Sequence, residues 1–147
     1  MSSSAYRFFD AIADGVNPIL TLVAIVVVVL EWRRRGPVGA SIFAAATALG
    51  LGCIYAIAAI DRRWEVWQHF GGDYSLHSAY AASVGTSLTL WRRRWLVPLL
   101  ACLLGYLLLI VLMGYHRTID VVSAGLLGAL VTFPWHLAAR RERGGGT

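Results

Sequence analysis

The stretch EWRRRGP, residues 31–37, separates the apolar runs ILTLVAIVVVVL (19–30) and VGASIFAAATALGLGCIYAIAAI (38–60). Charge, glycine and proline together stop a helix here, and the arginines mark the end of an apolar span. The pattern recurs: Arg92, Arg93 and Arg94 follow a third apolar run, and Arg140, Arg141 and Arg143 follow a fifth. Working outward from these clusters gives five apolar segments at 16–32, 38–60, 75–91, 95–115 and 118–139. Each is about long enough to cross a bilayer as a helix, for which about 20 residues are needed.

All three arginine clusters then fall on one side of the membrane, and the positive-inside rule makes that side cytoplasmic. The other side carries Arg7, Arg62, Arg63 and Arg117. An odd number of spans puts the N-terminus outside and the C-terminus inside. Trp32, Trp91, Trp95 and Trp135 are expected at the inner interface, Trp64 and Trp67 at the outer one, as an aromatic belt. The absence of lysine among the 13 basic residues hints at a high-GC bacterial genome, hence a bacterial plasma membrane.

Composition supports the same class. Of 147 residues 58% are hydrophobic, and the mean hydropathy of +0.64 lies well above that of a soluble domain. The net charge of +5 comes from arginines clustered between apolar runs, which argues for topology and against nucleic acid. Cys53 and Cys102 fall at different depths in apolar runs, so a disulfide is not expected, and no CxxC or Cys/His spacing suggests zinc.

Residues 1–15 place Ala5, Tyr6, Phe9, Ile12 and Ala13 on one helical face and Arg7, Asp10 and Asp14 on another. That pattern predicts a short amphipathic helix on the outer surface, or a lid folded against the bundle. Asn17 and Pro18 are read as the N-cap and first position of the first span. Residues 140–147 are read as a cytoplasmic tail, disordered from RERGGGT onward. The expected fold is all-α: one domain, 1–147, with the interfacial helix at 1–15 and a bundle of about five transmembrane helices at 16–139.

Segments three and five carry small residues four apart, namely Ser78, Ala79, Ala81, Ala82, Ser83 and Gly85, then Ala124, Gly125, Gly128 and Ala129. Such residues let helix backbones approach, so these two segments are expected inside the bundle, with segments one and four facing lipid.

Two polar stretches interrupt the apolar pattern: GGDYSLHSAYAAS (71–83) and YHRTIDVVSAGLLGALVTFPWHLA (115–138). His116 and Asp120 are four apart and on a helix would share one face, the carboxylate fixing the imidazole tautomer. His77 opens segment three at the same outer depth. An ionisable cluster at the mouth of membrane helices is a functional hypothesis by default. His136 is expected at the inner interface without an acidic partner, and His69 in an outer loop.

The two stretches resemble the signature blocks of the sphingomyelin synthase family, within the type-2 phosphatidic acid phosphatase superfamily. In that family a GDY…SGH block supplies one histidine, and an H-Y-x-x-D-V block supplies a second histidine and an aspartate. The resemblance covers about a quarter of the chain in order, spacing and helix position. It implies that His77, His116 and Asp120 form a catalytic triad, with His116 attacking phosphorus and His77 as acid and base. It also implies a phospholipid donor and a ceramide or diacylglycerol acceptor, with no metal or cofactor. Leu76 stands where the family has glycine, and Leu109 and Ile110 stand where the phosphatases carry a serine–arginine pair.

Neutralising a transferring phosphoryl group then falls to Arg62, Arg63 or Arg117. Asp73, Tyr74 and Ser75 are candidates for head-group contact or for capping segment three. The alternatives are a lipid phosphate phosphatase using the same triad, and an inactive lipid-binding or assembly protein. A small transporter ranks last, because the ionisable groups cluster near one face rather than at mid-membrane.

Overall fold

The computed structural model describes residues 3–144, with side chains from 4 to 140. Among the described residues it is all-helical: α1 (Ser3–Trp64), α2 (Val66–His69), α3 (Leu76–Trp91), α4 (Leu96–Leu112) and α5 (Thr118–Gly144). A 3₁₀ turn at Arg93–Trp95 leads into α4.

α1 is two helical arms joined at Gly36, whose φ of 74° and ψ of −172° break the helix. Glycine suits this elbow because a side chain at positive φ is disfavoured. The arms fold back on each other. Thr21 on the first arm hydrogen-bonds Tyr80 at 2.7 Å, and Tyr55 on the second packs edge-on against the same ring at 6.5 Å. Nearer the elbow, Val27 and Phe43 share a core with Val84, Leu88 and Trp91.

The first arm runs without a break from Ser3, which corrects the expected boundary between a surface helix at 1–15 and a span from residue 16. Ala13 is buried against Ala81, Tyr106, Ile110 and Val121, so packing on the bundle aligns this segment with the rest of the arm. Asn17 and Pro18 lie within the helix rather than at its start. Proline there forfeits one backbone bond, which neighbouring helices make tolerable. At the other terminus α5 continues through Gly144, across most of the expected tail; residues 145–147, like Met1 and Ser2, lie outside the described residues.

α3 is the central element. Ten of its 16 residues are buried, and it packs most extensively on α5 and α1. At 16 residues it is shorter than the roughly 20 a full crossing requires. By length and apolarity α1, α4 with its preceding turn, and α5 can each cross a membrane. α5 turns one stripe inward, Asp120, Val121, Ala124, Gly125, Gly128, Thr132 and His136, while Leu126, Leu130 and Leu137 stay exposed. A β-carbon on Gly128 would collide with the Ala79 carbonyl, so glycine there sets how closely α3 and α5 approach. α4 is the peripheral helix, burying only Tyr106 and Ile110.

The polar groups gather at two ends. At one, Glu31 is 1% exposed and holds Arg92 and Arg35, while Arg140 donates to the Leu90 carbonyl. Members of all three arginine clusters thus meet at a single end of the bundle. His136 is buried there between Phe43 and Trp91, at ring distances of 5.9 and 6.4 Å, rather than lying at an interface. Trp91 packs on Phe43 at 4.9 Å and so belongs to the core rather than to an aromatic belt. The opposite end carries His77, His116 and Asp120.

Candidate functional site

The histidine end is assembled around the α2–α3 loop. Glu65 adopts a left-handed φ of 52° and starts the single turn of α2, and Asp61 accepts the Trp67 N–H at 2.8 Å. Trp67 donates its indole N–H to Ser123 on α5 at 3.1 Å and packs edge-on against Tyr74 at 4.8 Å. Burial, with Asp61 nearby as the lesser cause, pushes the Tyr74 hydroxyl up to about 12. Ser75 is wholly buried as the N-cap residue of α3 and bonds the Ser78 hydroxyl at 2.7 Å. Tyr74 and Ser75 therefore build the loop from inside; Asp73 alone of the three turns its side chain outward, at 70% exposure.

The expected one-face pairing of His116 with Asp120 does not form. Gly114 takes φ of 74°, so the chain turns there and α5 begins only at Thr118, leaving His116 in the turn before it. Asp120 is 3% exposed, and both carboxylate oxygens accept backbone N–H groups. One takes the Asp73 N–H at 3.0 Å and the other the Arg117 N–H at 3.2 Å. The second bond is the acidic half of a capping box, the third residue of the helix reaching back to its N-cap. A β-carbon on Gly72 would run into Asp120, so the loop passes the carboxylate at a glycine. Asp120 fastens the α2–α3 loop to the start of α5.

The side chain facing the His116 imidazole is instead Asp73, with Oδ2 3.5 Å from Nδ1. A carboxylate on the Nδ1 side favours the tautomer with its proton there, which leaves the lone pair on Nε2. Asp73, from the neighbouring loop, thus stands beside the imidazole where the pairing argument expects Asp120.

His77 and His116 line one cavity of about 360 Å³, together with Asp10, Asp14, Tyr106 and Tyr115. Tyr115 donates to the Asp10 carboxylate across it. The cavity joins the first arm of α1, the start of α3, the end of α4 and the turn before α5. Asp10 and Asp14 were visible in the sequence only as the polar face of an amphipathic helix. Their role in the cavity wall follows from the first arm running on into the bundle.

A second cleft adjoins the first through His116 and Tyr115. It is lined also by Asp73, Arg117, Asp120 and the backbones of Gly72 and Gly114. Of the candidate arginines, Arg117 alone lines a cavity with a site histidine; Arg62 and Arg63 are exposed at the end of α1 and line neither space. His69 bonds the Glu65 carbonyl at 2.8 Å and also lies outside both.

The assembly offers two imidazoles on a common space, one backed by a carboxylate. A guanidinium and a helix N-terminus lie behind it, and two carboxylates face it. Such a set can attack an electrophile, shuttle a proton and hold separated positive and negative charges. No family model matches the chain, and neither a curated protein nor a solved structure is significantly similar to it.

Proposed function

We propose that the chain is a sphingomyelin synthase-like membrane enzyme that moves a phosphate-linked head group between lipids. The observation that carries this reading is the shared cavity: His77 from α3 and His116 from the turn before α5 line one space, with Asp73 at the Nδ1 of His116. In the proposed chemistry His116 Nε2 attacks phosphorus while protonated His77 gives its proton to the leaving lipid alcohol. His77 then takes the proton of the incoming hydroxyl, whose oxygen displaces His116 from phosphorus. Arg117 and the N–H groups at the start of α5 supply positive potential for the phosphoryl oxygens.

Asp10 and Asp14 bear on the choice between transferase and phosphatase. Carboxylates in the wall repel a phosphate monoester and favour a head group that carries its own cation beside the phosphodiester. Tyr106 and Tyr115 line the same cavity and offer ring faces to such a cation. This supports a zwitterionic phospholipid as donor over phosphatidic acid. The five apolar segments of the sequence, with α3 as a short span, and the gathering of arginines at one end favour a five-span bundle whose histidine end faces away from the cytoplasm.

Purified protein incubated with fluorescent zwitterionic phospholipid and ceramide or diacylglycerol tests the reading. Wild type is expected to give a new phospholipid product and His116→Ala none. Full activity in His116→Ala overturns the mechanism, and product only from phosphatidic acid, as free phosphate, selects the phosphatase.

A further inference from the structure

His77 lines a second cavity as well. This one, about 280 Å³, lies between the two arms of α1 and α3, with Asn17, Thr21, Tyr55 and Tyr80 in its lining. His77 therefore borders two spaces of different chemistry. The one shared with His116 has two carboxylates in its wall, whereas no Asp, Glu, Lys or Arg lines the other.

We infer that this uncharged cavity binds the acceptor lipid by its hydroxyl-bearing head, from which the hydroxyl enters the position beside His77 that the donor's leaving alcohol vacates. The inference rests on the head-group transferase reading above. Three observations carry it. The lining consists of hydroxyls, an amide and apolar groups, which suits a neutral alcohol and offers nothing to a phosphate. Thr21 Oγ1 bonds the Tyr80 hydroxyl at 2.7 Å and the Asn17 carbonyl at 2.8 Å, so the polar wall is fixed by internal bonds. Asn17 donates through Nδ2 to the His77 carbonyl at 3.5 Å, while its buried Oδ1 has no hydrogen-bond partner. An orphaned acceptor beside His77 is matched by the O–H of an alcohol in the resting complex, before that O–H turns to His77.

The rim also fits a lipid. Tyr55 is 52% exposed, and Ile19 and Leu22, next in sequence to the lining residues Pro18 and Thr21, are exposed, so chains attached to the bound head continue along the apolar flank of α1. In the second half-reaction the acceptor O–H gives its proton to neutral His77 as its oxygen bonds phosphorus. The phosphorus–nitrogen bond to His116 breaks, and His116 leaves neutral with its Nδ1 proton still facing Asp73. Protons and charge balance with no further reactant.

The test combines product partition with site mapping. In phosphatidylcholine nanodiscs containing diacylglycerol, Thr21→Leu fills the cavity and Thr21→Val removes only the hydroxyl. Both are expected to lower the ratio of head-group transfer to donor hydrolysis, Thr21→Leu by tenfold or more. A diazirine-bearing diacylglycerol is expected to label peptides containing Asn17, Tyr55 or Tyr80 in wild type and in turnover-deficient His116→Ala, and to lose that labelling in Thr21→Leu. An unchanged ratio in folded Thr21→Leu, or labelling confined to the lipid face of α4, overturns the acceptor site and leaves the transferase reading standing. Absence of transfer in wild type, with every lipid alcohol supplied, overturns the transferase reading and the acceptor role with it.

Discussion

Asp120 is buried with both oxygens on backbone N–H groups, so its removal strands two donors. Asp120→Ala is expected to destabilise the protein by about 1–3 kcal/mol, read by thermal unfolding in detergent. Asp73 is exposed and faces His116, so Asp73→Asn is expected to leave the unfolding temperature nearly unchanged while lowering kcat by about 10²-fold. Loss of stability in Asp73→Asn without loss of turnover would reverse the assignment.

Tyr74 gives a second test at this scale. Its folded pKa is raised above the usual 10, so the stability tied to its neutral form is complete below about pH 10 and is lost as pH rises toward 12. In an ultraviolet titration, Tyr74→Phe should delete a tyrosinate step near pH 12; deletion of one near pH 10 would contradict the burial. The sequence made His77, His116, Asp73 and Asp120 legible as a polar set because they interrupt apolar runs. It misassigned their partners because the i, i+4 argument assumes helix at His116, and the turn at Gly114 ends that assumption.

Among the elements, small residues were a reliable signal. The spacing in segments three and five predicted close approach, and α3 and α5 form the most extensive helix pair, with Gly128 against Ala79. Gly128→Ala inserts a β-carbon onto a carbonyl that a helix backbone cannot withdraw. About 1–3 kcal/mol of destabilisation is expected from the overpacking, measured by thermal unfolding. No change would mean that the two helices do not touch at that level. Hydropathy read less well at the N-terminus. It divided the chain where charges end, at residue 15, whereas the helix obeys packing and runs from Ser3 to the elbow. Tryptophan's frequency at interfaces places Trp91 in a belt, whereas the structure buries it against Phe43.

At the scale of the molecule, the charged side chains among the described residues are segregated to opposite ends, and the arginine end has its own buried acid. Glu31 looked like part of a charged stop signal, yet it ties the first arm of α1 to Arg92 after α3. Glu31→Gln leaves Arg92 without its anion in a partly buried place. The expected loss is about 1–3 kcal/mol, below the full penalty of a completely buried pair because Arg92 is 29% exposed. Thermal unfolding of Glu31→Gln beside Arg35→Gln checks this: the exposed Arg35, 3.5 Å from Glu31, should matter less. Arginine clustering in the sequence could locate this end, but only the folded chain reveals that a carboxylate organises it.

The elbow at Gly36 gives the first arm the mechanics of a lever. Nothing lies within 4 Å of where its β-carbon would be, so the pivot is unobstructed. Asp10 sits 26 residues away along uninterrupted helix, about 39 Å at 1.5 Å per residue. One degree of tilt at the pivot therefore shifts the carboxylate wall of the histidine cavity by about 0.7 Å. Ala13, packed against Ala81, Tyr106 and Val121 one turn further along, holds the arm against that displacement, so the width of the cavity rests on those apolar contacts.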